Sequence, residues 1–187
     1  MSGPPQLKPA MALTALVFSA SIARALLAPF GTTFSTAAFL ACLSIGWLAA
    51  RRLVARQAAW SILPSVLTGV VVAGLLVAPM YTTGPPMRHV QGILPWGAGT
   101  ALVATIEEAV VRGQIQSMWT GIAGVTRGLL VSAGVFAAMH VPAYGLSAMP
   151  VDLAAGLTLA GLRALTGRVA PCAIAHVGAD LGGWLWS

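Results

Sequence analysis

Apolar runs long enough to cross a bilayer follow one another from Ala10 to Trp186, separated only by short polar breaks. A spanning helix needs about 20 mostly apolar residues. In lipid its backbone N–H and C=O groups must be satisfied within the segment itself. Seven candidate spans follow, at 10–30, 34–50, 58–81, 93–118, 128–141, 149–165 and 169–186. Turn-forming residues mark the joints: Pro29 to Gly31, Gly84 to Pro86, Pro142 with Gly145, and Gly167. The fifth segment is short and the sixth carries Asp152, so the expectation is about seven helices within a range of six to eight. The predicted fold is all-α, a polytopic transmembrane helix bundle. Residues 1–187 form one integral-membrane domain without internal repeats or a soluble module.

Charge supports this class. Only 7% of the residues are charged, against roughly 25% in a soluble domain. The net charge of +6 does not point to nucleic acid, because the basic residues are scattered at segment ends. With seven spans, Lys8, Arg51, Arg52, Arg56, Arg127, Arg163 and Arg168 share one face of the membrane, and only Arg88 lies on the other. The positive-inside rule then predicts a cytoplasmic N-terminus and an outer C-terminus. Trp184 and Trp186 fit an outer interfacial anchor, and Trp47, Trp60 and Trp119 an inner one. The apolar run after Lys8 resembles a signal sequence and is read as an uncleaved signal anchor. Lys8 is the one lysine among ten basic residues, and Ala and Gly abound, a composition suggestive of a high-GC bacterium and hence of its inner membrane. Cys42 and Cys172 are too few for a disulfide framework.

Against this background the ionisable residues inside the spans stand out, since each costs about 2.5–3.5 kcal/mol to insert and by default marks function. Glu107, Glu108 and Arg112 lie in the fourth segment, His140 ends the fifth, and His176 and Asp180 lie in the seventh. Glu108 and Arg112, four apart, share a helix face and can neutralise one another. Glu107, about 100° around the helix, is left to meet another helix. A carboxylate and an imidazole can hold a water and take its proton, while a second histidine donates to a developing oxyanion. The same residue types can also ligate zinc, although no HExxH is present. Each group also has a structural reading. Glu108–Arg112 can be an ion pair that only supports the fold, and the histidines and Asp180 can be interhelical hydrogen-bond partners.

The order EExxxR (Glu107 to Arg112), FxxxH (Phe136 to His140) and HxxxD (His176 to Asp180), on separate helices, resembles the CPBP family of CAAX-processing and bacteriocin-processing membrane proteases, also called Abi. That resemblance implies a glutamate-type intramembrane endopeptidase that needs no metal or other cofactor. It implies that Glu107 activates the water, His140 positions it, and His176 with Asp180 forms the oxyanion side. Glu108, Arg112 and Phe136 would support the site. Prenyl-protein-processing members have Asn where this chain has Asp180. An ionised aspartate cannot donate to an oxyanion, so Asp180 either carries a proton or orients His176.

The remaining candidates are weaker. Cys172 shares a helix face with His176 and Asp180, and reads either as a thiol nucleophile or as a small packed residue. Asp152 reads as a helix start or an interfacial position, His89 as solvated, and Arg24 as a snorkelling residue or a partner for an acid, a substrate carboxylate included. Glycines at 121, 124, 128, 156, 161, 178, 182 and 183 read as close helix-packing positions. The charge-derived topology puts the Glu/His cluster in the outer half of the membrane. The expected substrate is therefore a membrane-anchored or exported protein cut near its C-terminus, as in the myxosortase group, and nucleic acid is not an expected partner. The alternatives are a proton-coupled transporter, a non-catalytic membrane scaffold, or a zinc-dependent membrane hydrolase.

Overall fold

The computed structural model describes residues 7–54, 59–83 and 93–186, and among them every regular element is helical. The helices are α1 (Leu7–Leu27), α2 (Thr32–Ala50), α3 (Ile62–Thr83), α4 (Ile93–Val110), α5 (Gln116–Ala123), α6 (Val125–Tyr144), α7 (Met149–Thr166) and α8 (Ala170–Trp186). A π-helical turn, Val111–Ile115, joins α4 to α5 without a break, so eight labels describe seven rods. This agrees with the seven predicted segments. The predicted break at 84–86, and Arg56, Arg88 and His89, lie outside the described residues.

Two boundaries move. The fifth segment, predicted to stop at 141, is α6 and runs from Val125 to Tyr144. Pro142 lies in its last turn, where it cannot donate to the carbonyl four residues back, and Gly145 ends the helix three residues later at φ +80°. At the other end Gly124, at φ +89°, permits the abrupt turn from α5 into α6.

The bundle is apolar outward as well as inward. Leu26, Ile45, Leu63, Leu75 and Leu94 are each at least 66% exposed, a pattern that water would oppose and acyl chains satisfy. The rods comprising Leu7–Phe30, Thr32–Ala50, Val125–Tyr144 and Leu146–Thr166 are each long and apolar enough to cross a membrane. The protein is an integral membrane protein. Inside, α1 contributes Ala10, Leu13, Val17 and Ala20, and α2 contributes Phe39 and Leu43, each set at helical spacing. Trp60 donates its backbone N–H to the Thr166 carbonyl and accepts from Arg168 Nε, which puts the start of α3 and the end of α7 at one end of the bundle.

Without a strong hydrophobic drive between helices in lipid, close contact relies on small residues. A methyl group at Gly178 would stand 2.6 Å from the Ala73 side chain, and one at Gly182 equally close to Val77, so α8 lays bare backbone against these side chains of α3. Gly128 and Gly156 are likewise tight, against Thr120 and Ala133. Gly121 and Gly161 are not; both face open space, so their reading as packing positions is corrected. Gly178→Leu is therefore expected to cost about 1–3 kcal/mol by overpacking. Gly121→Ala should not destabilise. Thermal unfolding of the detergent-solubilised variants checks both.

The end of the bundle that holds α5 is more polar than its sequence suggests. Gln114 Nε2 donates to the Trp47 carbonyl (2.7 Å), Gln116 Nε2 to the Ala160 carbonyl (2.9 Å), and Arg163 to Ser117 Oγ (3.3 Å). These bonds tie α5 and the π turn to α2 and α7. Buried polar groups here act as ties between helices.

Candidate active site

Three rods supply the predicted cluster, and the structure brings its parts together. Glu107 and Glu108 lie in the last turn of α4, and Arg112 lies in the π turn that follows. Arg112 Nη1 is 3.1 Å from Glu108 Oε1, and both side chains are fully buried. The guanidinium also donates from Nη2 to the Gly156 carbonyl of α7 (3.2 Å) and lies 4.3 Å over the Phe136 ring. Gly156 allows this approach, because a Cβ there would press on Ala133 and Phe136 of α6. A π turn inside an α-helix is a frequent companion of functional sites.

Glu108 has a second partner. Its Oε1 accepts from His176 Nδ1 of α8 at 3.0 Å. A carboxylate on Nδ1 fixes which ring nitrogen is engaged and how the ring is turned. The other nitrogen, Nε2, then faces Glu107 Oε2 at 3.9 Å and Asp180 Oδ1 at 3.6 Å. The adjacent glutamates are thus separated by geometry. Glu108 is consumed by Arg112 and His176, while Glu107, 3% exposed, faces Nε2 with no closer partner among the described residues.

His140, in α6, donates from Nδ1 to the Phe136 carbonyl one turn back (2.7 Å), leaving Nε2 uncommitted. Its ring packs against Phe136 at a centroid distance of 4.6 Å, and Phe136 meets His176 edge-on at 5.2 Å. Phe136 therefore touches both histidines and Arg112. Ser21 of α1 donates to the carbonyl of Met139, anchoring the His140 turn. Asp180 is 41% exposed, so the cluster is sealed at Glu108 and open at Asp180.

Sequence reading missed two neighbours. Tyr144 stacks on His140 (5.8 Å, 23° between ring planes). Asp152, read as a helix start or an interfacial position, lies within electrostatic reach of both histidines and has a buried Oδ2 with no hydrogen-bond partner among the described residues. The other three carboxylates, Glu107, Glu108 and Asp180, each lie within 4 Å of His176. Cys172, in contrast, is fully buried with Sγ directed at the Leu159 carbonyl (3.4 Å), on the packed side of α8. Among the described residues, no three His, Cys, Asp or Glu side chains are arranged to share one metal ion.

A lipid-embedded helical bundle with carboxylates and imidazoles converging between its helices has the architecture of an intramembrane hydrolase. The family model for type II CAAX prenyl endopeptidases, Rce1-like, matches residues 89–182, which include every site residue from Glu107 to Asp180. The chain belongs to this protease family. No curated protein and no solved structure matches it.

Proposed function

We propose that this protein is a glutamate-type intramembrane endopeptidase that trims membrane-anchored or exported proteins near their C-termini. The observation that carries the reading is the division of labour between the two glutamates. Glu108 holds His176 by Nδ1, and the freed Nε2 looks toward Glu107 across 3.9 Å. That gap is too long for a direct hydrogen bond, and a water can bridge it.

In this mechanism Glu107 takes a proton from a water that also donates to His140 Nε2. The resulting hydroxide attacks the scissile carbonyl carbon, and the carbonyl π electrons move onto oxygen. His176, as the imidazolium that keeps Nδ1–H on Glu108, donates its Nε2–H to that oxyanion. Asp180, 3.6 Å from the same nitrogen, keeps the ring turned toward it. Collapse of the tetrahedral species breaks the C–N bond, and the proton held by Glu107 passes to the leaving amine. Phe136 and Arg112 hold the two imidazoles at a fixed angle. Buried, pre-oriented groups cost no reorganisation at the moment of reaction.

The orientation proposed from charge places the N-terminus in the cytoplasm of a bacterial cell, the C-terminus outside, and the cluster in the outer half of the inner membrane. The described helices support it, since Arg51, Arg52, Arg127, Arg163 and Arg168 lie at the ends that the rule assigns inside. Cys42 and Cys172 are first replaced, and single cysteines are then placed at 52 and 147. Impermeant maleimide is expected to label position 147 in intact spheroplasts and position 52 only after lysis. The reverse pattern would place the site on the cytoplasmic side.

The reading is tested by mass spectrometry of protein C-termini in the native host, wild type against Glu107→Gln. A set of exported proteins should retain its C-terminal segment only in the variant. Matching profiles with a stably inserted variant would discard C-terminal processing.

A further inference from the structure

The proposed protease reading leaves one half-buried charge without a task. Arg24 lies in the last turn of α1, at the end that the proposed orientation places outside, where the positive-inside rule does not call for a cation. Among the described residues it has no carboxylate within ion-pair distance. Its guanidinium rests 5.1 Å over the Phe39 ring. Arg24 lines a cleft of about 230 Å³, together with Thr32, Ser35 and Thr36 of α2 and Pro142 and Tyr144 of α6. Ser35 donates its hydroxyl proton to the Thr32 carbonyl, so the donors offered to an occupant are Arg24 and the two threonines. The cleft thus sets one cation beside hydroxyl groups, a combination that suits an oxyanion.

Its position says which one. Tyr144, a wall of the cleft, stacks on His140, so an anion there sits one aromatic ring from the proposed catalytic centre. Arg24 also lies within electrostatic reach of Glu107. An enzyme that cuts near a C-terminus handles a short leaving fragment whose one obligatory anion is its terminal carboxylate. We infer that the cleft between Arg24 and Tyr144 is the subsite that binds the C-terminal carboxylate of the substrate and so measures the distance from chain end to scissile bond. Arg24 is a binding and register-setting residue, outside the reacting atoms.

The test compares binding of a dansylated apolar tripeptide with a free carboxyl terminus and of its C-terminal amide. The full-length protein is held in phosphatidylcholine nanodiscs and binding is read by fluorescence anisotropy. The wild type is expected to prefer the acid by roughly tenfold or more, the size of one charge-assisted hydrogen-bonded pair. Arg24→Gln should abolish the preference. Arg24→Lys, which keeps the charge, should retain part of it and so separate lost charge from lost fold. Equal affinities, binding of neither peptide, or a preference that survives Arg24→Gln would each overturn the inference. So would displacement of the acid peptide when phosphatidylglycerol replaces part of the lipid, which would assign the cleft to a headgroup phosphate. Acid and amide binding alike, with host trimming still blocked by Glu107→Gln, removes the subsite and leaves the protease. A preserved acid preference, with trimming indifferent to Glu107→Gln, removes the protease and leaves the subsite.

Discussion

Arg112→Met is expected to destabilise the folded protein by about 3–5 kcal/mol, the cost of leaving a buried ion without its partner. Arg112 has no exposed surface and serves three helices at once, through Glu108 of α4, the Gly156 carbonyl of α7 and the Phe136 ring of α6. Removing it strands Glu108, also fully buried, with only His176. Lysine is a poor substitute, since a point charge cannot bond Glu108, reach Gly156 and stack on a ring together. The double variant Glu108→Leu/Arg112→Met should regain much of the lost stability, because an apolar pair of similar volume often replaces a buried ion pair at little cost. It should stay inactive, because His176 no longer has an acceptor at Nδ1. Unfolding in mixed micelles gives the stabilities. A single-variant loss under about 1 kcal/mol would mean that Glu108 is not held as an ion by Arg112.

Much of this was legible in the chain. The rods follow from apolar length, and the EExxxR, FxxxH and HxxxD spacings follow from helical periodicity, which puts i and i+4 on one face. Glu108–Arg112 was therefore readable as a pair. That Glu108 also holds His176 was not, because the register of α8 against α4 depends on how α8 packs on α3 through Gly178 and Gly182. Local spacing carries no information on such a register. The π turn at Val111–Ile115 was invisible for a related reason: its residues show no distinctive composition, and only tertiary ties such as Gln114 to Trp47 and Gln116 to Ala160 accompany it. Asp152 does lie in the first turn of α7, as read; its electrostatic reach to the histidines was not legible, because it depends on the α6–α7 turn. The family match begins at residue 89, so α1 was featureless by pattern, yet it delivers Ser21 to the His140 turn and Arg24 to the neighbouring cleft.

Glu107→Gln is expected to lower the turnover of purified enzyme by about 10²–10⁴-fold, the range for loss of a positioned general base, with KM and unfolding midpoint nearly unchanged. Glutamine keeps the shape and removes only the capacity to accept a proton. Glu107 has no ion pair closer than the 3.9 Å approach to His176, so the fold loses little. The neighbouring change, Glu108→Gln, should behave in the opposite way. An amide oxygen can still accept from His176 Nδ1, so part of the turnover should survive, but Arg112 is left as a buried, uncompensated cation and stability should fall sharply. Two isosteric substitutions at consecutive positions thus separate catalysis from structure. If Glu108→Gln proved the rate-killing change while Glu107→Gln turned over normally, the roles of the two carboxylates would be exchanged. The water would then have to lie on the Arg112 side of His176, a region where Glu108, Arg112 and the Phe136 ring leave it no open approach.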